Sequence, residues 1–139
     1  MEVWGGNQKA DRHLEMPGLE AWIFSQPHLH AQGGGDVYYV SSCSSGRITR
    51  ILLADVSGHG VDASKSAVGL RELMRHNINI IRQNRFVAEM NKQFSEFAAD
   101  HRFATAVVCS FFCPTRRLTL CNAGHPEPLC LQRPDGQWT

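Results

Sequence analysis

Ile51-Leu52-Leu53-Ala54-Asp55-Val56-Ser57-Gly58-His59-Gly60 is an apolar run that ends on an aspartate and passes into a glycine-rich turn. Such a run reads as a buried strand, and an acid at its tip, where the backbone turns away, is a candidate metal ligand. Upstream, Gly33-Gly34-Gly35 precedes Asp36 and then Val37-Tyr38-Tyr39-Val40, so a second strand begins beside a second glycine-rich turn. Between the two strands lies Ser41-Ser42-Cys43-Ser44-Ser45-Gly46, a hairpin loop by composition, which predicts antiparallel pairing. Asp36 opens the first strand and Asp55 closes the second. An antiparallel hairpin therefore brings both to its open end, where they can share one site.

The rest of the chain reads as an α+β domain around that hairpin. At 139 residues, 42% hydrophobic and 19% charged, it is long enough to bury a core and is not disordered. The 14 basic and 13 acidic side chains leave a formal charge of +1 with no basic stripe, which argues against nucleic acid as a partner. The N-terminus lacks a basic segment followed by an apolar core, and no apolar run reaches membrane-spanning length, so a cytoplasmic protein with no membrane partner is expected. The five cysteines, Cys43, Cys109, Cys113, Cys121 and Cys130, form no C-x-x-C pair and read as reduced, buried thiols.

A short strand is expected from Glu20 to Ser25, and residues 1–15 read as a lead-in to a domain over 16–139. After Gly60 the period changes. Ala63, Ala67, Leu70, Met74, Ile78 and Ile81 recur every three or four residues, predicting an amphipathic helix; Phe86, Met90, Phe94 and Phe97 predict a second, with Asn84 as its N-cap. Strands return at Ala104 to Cys113, Leu118 to Asn122 and Pro128 to Leu131, with a turn at Pro114-Thr115-Arg116-Arg117. Strands, two helices and strands again give a layered α+β domain.

Four motifs now stand in order: Gly34-Gly35-Asp36-Val37-Tyr38, Leu53-Ala54-Asp55-Val56-Ser57-Gly58-His59-Gly60-Val61, Phe103-Ala104-Thr105-Ala106 and Asn122-Ala123-Gly124-His125-Pro126. Together they resemble the metal-dependent phosphatases of the SpoIIE/RsbU branch of the PP2C superfamily. The resemblance runs from about Met16 onward and implies a PP2C-like α-β-β-α sandwich of two antiparallel sheets flanked by helices. It also implies hydrolysis of phosphoserine or phosphothreonine with a pair of Mg²⁺ or Mn²⁺ ions. By the family pattern Asp55 bridges both metals, the Val56 carbonyl binds one, and Asp36 adds a carboxylate. The substrate in the family is often a phosphorylated anti-sigma-factor antagonist, and a sensory or receiver domain is often fused to the phosphatase.

Other residues carry weaker readings. A histidine near the corresponding aspartate acts as a general acid in other PP2C branches, so His59 is a catalytic candidate, but its spacing favours a packing role at the turn. Ser57 reads as a turn residue, since G-x-S-x-G is absent. His28 and His30 sit in a loop without a third ligand in reach. His125 reads as orienting backbone, with lining of the substrate cleft as the alternative. Gly58 and Gly60 suit a turn that needs positive φ or close approach.

The chain departs from the family pattern in two places. Tyr39 stands where many members have a second acid, and the family's later acids are expected beyond Thr139; Asp135-Gly136 reads as a polar hairpin turn instead. A domain incomplete at its C-terminus is therefore expected, one that holds at most one divalent ion tightly. The leading function is a phosphoserine/phosphothreonine phosphatase domain. The alternative is a non-catalytic phosphatase-like module that binds a phosphoprotein or kinase; a nucleotide site at the glycine turn lacks a P-loop lysine.

Overall fold

The apolar run forms the middle strand of a five-stranded antiparallel sheet. In the computed structural model, described for residues 1–6, 8–26, 35–58, 60–98, 102–132 and 136–138, that sheet has the order β1-β4-β5-β6-β7. Its strands are β1 (Glu2–Gly5), β4 (Asp36–Ser42), β5 (Ile48–Val56), β6 (Ala104–Phe112) and β7 (Arg117–Ala123). Strands β2 (Ala10–Met16) and β3 (Leu19–Ser25) form a separate antiparallel hairpin, and β8 (Leu131–Gln132) pairs with β9 (Gln137–Trp138). The helices α1 (Gly60–Asn77) and α2 (Gln83–Phe97) lie between β5 and β6 in the chain.

Burial along β5 alternates from Arg50 to Val56 although Ile51 to Ala54 is apolar throughout. Arg50, Leu52, Ala54 and Val56 are buried, while Leu53 is 48% exposed. The even-numbered residues face the helices, where Leu52, Ala54 and Val56 join Val37, Tyr39, Val108, Ala67, Leu70, Met74, Phe86, Met90 and Phe94 in one core. The odd-numbered residues point to the other face. Period-2 alternation of side chains, together with helices on one face only, makes this split. Fully buried Ala63 lets α1 approach closely.

The helices begin and end slightly away from where periodicity alone puts them. The Asn77 amide donates to Leu73 O at 2.9 Å and to Gln93 Oε1 at 2.7 Å, tying the end of α1 to α2. Ile78 and Ile81 therefore fall in the connection, and Ile81 is 74% exposed. Asn84 is not the cap of α2. Arg82 takes the cap position, because Gln83 is already held by β6: its Nε2 donates to Val108 O at 2.7 Å and its Oε1 accepts from the Ser110 hydroxyl.

Before residue 16, where no element was expected, the structure has two strands. Glu2 and Trp4 face α1, where Glu2 pairs with Arg75 at 3.0 Å and the Trp4 ring lies 3.8 Å from the Arg71 guanidinium carbon. Strand β1 thus joins the main sheet by pairing antiparallel with β4 and is braced by α1 residues some 70 positions away, neither of which a local pattern signals. Strand β2, ADRHLEM, is mostly exposed and polar; its cross-strand stack of His13 on Trp22, at 4.7 Å, becomes visible only once the hairpin is paired.

None of the five cysteines forms a disulfide. The expectation of buried thiols is corrected: Cys43 and Cys130 are exposed, and Cys109, Cys113 and Cys121 are half-buried. Cys43 lies in the β4–β5 loop, where hydrogen bonding by the Ser45 hydroxyl lowers its thiol to about 7. Among the described residues no helix is long and apolar enough to cross a membrane.

Candidate metal centre

Strand pairing sets the two aspartates side by side. Asp36 is the register partner of Asp55, and Asp55 is the partner of Thr105 on β6, so Asp36, Asp55 and Thr105 form one row across three strands. The row lies on the face away from the helices, at the end of the sheet where β4 begins and β5 stops. Side chains directly opposite in an antiparallel pair sit about 5 Å apart at Cβ, within reach of one bound ion.

The electrostatics follow from that placement. The Asp36 carboxyl is raised above the usual range first by burial, then by the neighbouring charge of Asp55, with His125 acting in the opposite direction. Two carboxylates on adjacent strands repel when nothing cationic lies between them. Because Asp36 holds its proton more tightly in the folded chain than in the unfolded one, its contribution to metal-free stability falls as pH rises through its folded pKa. Asp36→Asn is therefore expected to raise the melting temperature of the chelator-treated chain at pH 7. The gain should shrink as the pH is lowered below about 4, where the ordinary carboxyl protonates too. A gain that does not change with pH overturns this origin.

Two glycines let the backbone close around the acids. The Val56 amide donates to Gly35 O at 3.0 Å. A Cβ on Gly35 would lie 2.0 Å from Val56 O and 3.0 Å from Asp55 Oδ1, and one on Gly6 would lie 1.9 Å from Asp36 O. The space at Gly35 is thus bounded by a carbonyl oxygen and a carboxylate oxygen. Any side chain there would displace backbone.

The turn after β5 is fastened from the opposite side. The Ser57 amide donates to Phe103 O at 2.8 Å and the Ser57 hydroxyl accepts from Phe103 N at 3.0 Å, so Ser57 is the turn residue expected of it. Gly58 has φ of +99°, which answers the positive φ expected of that turn. His59, His28, His30, Gly33, Gly34 and Asp135 lie outside the described residues.

A side chain assigned only a minor role by sequence enters the site from β7's far end. The His125 amide donates to Asn122 Oδ1 and the Asn122 side-chain amide donates to His125 O, both at 2.9 Å, closing a tight turn over Gly124 with its φ of +71°. His125 Nδ1 is then 2.8 Å from Thr105 Oγ1. His125 lines a cleft of about 430 Å³ together with Asp36, Tyr38 and Leu53 on one side and residues Trp22 to Gln26 of the hairpin edge on the other. The role of Thr105 was not read from the sequence. Its only signal was its place in Phe103-Ala104-Thr105-Ala106, which becomes informative once β6 pairs with β5.

Tyr39, the departure from the family pattern, does not subtract from this site. It is 2% exposed and points into the helix layer, opposite to Asp36, and burial raises its hydroxyl to about 12. Strand alternation places positions 36 and 39 on opposite faces. The oxygen donors at this end of the sheet are the Asp36 and Asp55 carboxylates and the Val56 carbonyl; no group of three or more His, Cys, Asp or Glu side chains suited to a metal occurs among the described residues. All are hard oxygen donors. They fit one hydrated Mg²⁺ or Mn²⁺, which takes one or two carboxylates and keeps several waters.

An antiparallel sheet with two helices on one face and paired acids on the other makes this an α+β domain. The sequence profile described as Stage II sporulation protein E (SpoIIE) matches residues 45–139, so the chain belongs to the SpoIIE family, in the SpoIIE/RsbU branch of the PP2C-type phosphatases. Among solved structures, that of the RsbU and RsbW domains of Rv1364c from Mycobacterium tuberculosis matches with a TM-score of 0.64 and 24% identity. The match covers 73% of this chain and 29% of that one, so this chain spans under a third of that protein's length. No curated protein sequence matches the chain.

Proposed function

We propose that this chain carries part of a metal-dependent phosphoserine/phosphothreonine phosphatase domain, over residues 16–139, acting in bacterial signalling. The observation that carries the reading is the in-register pair Asp36 and Asp55 at the open end of a hairpin, beside the Val56 carbonyl, in a chain of the SpoIIE family. Asp36 and Asp55 would hold a divalent cation through their carboxylates, with Val56 O as a further donor. When bound, such an ion supplies Lewis acidity toward a phosphoryl oxygen and toward water. The protein's own part is placement: β4 and β5 fix the carboxylates, Gly35 leaves the backbone donor accessible, and the Ser57 clamp holds the strand end. A phosphorylated protein segment is the proposed substrate, with a phosphorylated anti-sigma-factor antagonist as its particular form and Mn²⁺ or Mg²⁺ as the cofactor. A sensory or receiver domain, fused or separate, is the proposed source of the signal.

The test is calorimetric titration of Mn²⁺ into the chain, run beside phosphate release from a phosphoserine protein. One tight ion is expected from the donors described, with slow release that chelation abolishes. Two tight sites would overturn the single-ion stoichiometry. Tight metal uptake without any release would favour the non-catalytic, phosphoprotein-binding alternative, and neither uptake nor release would remove the metal-centre reading.

A further inference from the structure

The two carboxylates create a problem for the substrate proposed above, because a phosphate approaching them is repelled wherever metal charge does not reach it. Among the described side chains lining the 430 Å³ cleft, no lysine or arginine occurs, and His125 is the one that can donate a hydrogen bond from a basic group. Its placement is over-determined. The turn is locked by the reciprocal Asn122–His125 bonds, and Thr105 Oγ1 takes Nδ1 at 2.8 Å.

A threonine hydroxyl can donate to Nδ1, which leaves the neutral ring with its proton on Nε2, on the opposite edge. That edge is the one not used by Thr105. Thr105 stands in the same cross-strand row as Asp55 and Asp36, so a ring fastened to it is held beside the acids rather than swinging into solvent. An oriented N–H donor lining the same cleft as Asp36 suits a tetrahedral oxyanion better than an apolar ligand.

We propose that His125 contacts the substrate phosphoryl group through Nε2 and that Thr105 is a positioning residue, holding Nδ1 so that Nε2 faces the cleft. The inference rests on the phosphatase reading and adds to it a phosphate-binding side chain outside the carboxylate pair. Thr105 links the row of acids to the donor: one strand, β6, aligns both through its register. The Asn122 turn carries no chemistry of its own and acts by fixing where the ring begins.

Isosteric substitutions separate the two ring edges. Asparagine at position 125 can keep a group near Nδ1 and loses the far edge, whereas glutamine can place its amide near Nε2. Inorganic phosphate is titrated calorimetrically into the Mn²⁺-saturated chain for wild type, His125→Ala, His125→Asn, His125→Gln and Thr105→Val, with Mn²⁺ affinity measured separately for each. Loss of a charge-assisted or oriented hydrogen bond is expected to weaken phosphate about tenfold in the alanine and asparagine variants. Glutamine should restore most of that, Thr105→Val should lose about threefold through misorientation, and Mn²⁺ affinity should stay within about twofold of wild type throughout.

Unchanged phosphate affinity in His125→Ala overturns the contact. A parallel fall in Mn²⁺ affinity reassigns His125 as a metal ligand and overturns it too, as does a glutamine variant no better than alanine. A wild-type chain that takes up Mn²⁺ but no phosphate overturns this inference and leaves the metal centre standing. Absence of both overturns the phosphatase reading beneath it.

Discussion

Asp55→Asn is expected to abolish tight Mn²⁺ binding and, with it, any Mn²⁺-dependent release of phosphate. Asp55 stands between two other oxygen donors: it is the register partner of Asp36, and its Oδ1 borders the same space as the Val56 carbonyl. Asparagine keeps the shape and removes the charge that a hard cation requires. Loss of a partner outside the ligand shell typically costs about 10–100-fold in metal affinity, so loss of the ligand itself should cost on the order of 100-fold or more. The variant should fold at least as well as wild type when metal is chelated, because burial then remains as the cause that raises the Asp36 carboxyl while the added repulsion from the Asp55 charge is gone. Calorimetry and thermal melting in chelator read the two effects separately. Metal affinity within tenfold of wild type would take Asp55 out of the centre.

Phe86→Ala is expected to be the most damaging core truncation. Phe86 is fully buried at the start of α2, and the Arg50 guanidinium carbon lies 4.3 Å from its ring centre. Arg50 is itself 2% exposed; one guanidinium nitrogen donates to Ile80 O, whereas Nε and Nη1 have no hydrogen-bond partner among the described residues. The ring therefore covers a cation held in the core, and burial lowers the Arg50 pKa. Truncation opens a cavity, worth about 3–5 kcal/mol for a buried phenylalanine, and strips the cation of its aromatic face. Urea unfolding should show the midpoint falling accordingly. Phe86→Leu separates the terms: it refills most of the volume, so a cost near that of alanine would make the ring face the main contribution.

The hairpin that carries the aspartates was legible because its signals are local. A serine-rich loop between two apolar runs specifies antiparallel pairing, and the pairing specifies which ends meet; Asp36 opposite Asp55 is the result. The helices were legible for the same reason, since Ala63, Ala67, Leu70 and Met74 repeat at helical spacing and are all buried. What local pattern missed depends on distant partners. Strand β1 pairs with β4 and is braced by Arg71 and Arg75 of α1, and α2 starts at Gln83 because β6 holds that side chain. Tyr39 looked like a missing ligand in one dimension and is a core residue in three.

The sequence by itself determined the hairpin, the two amphipathic helices and the position of Asp55 at a strand tip, because turn chemistry and hydrophobic period act over a few residues. The tertiary structure decided which face of the sheet the acids occupy, that Thr105 joins their row, and that His125 is held beside them. Those outcomes depend on strand register and on helices covering one face only. Both are set by packing between segments far apart in the chain, which no local spacing encodes.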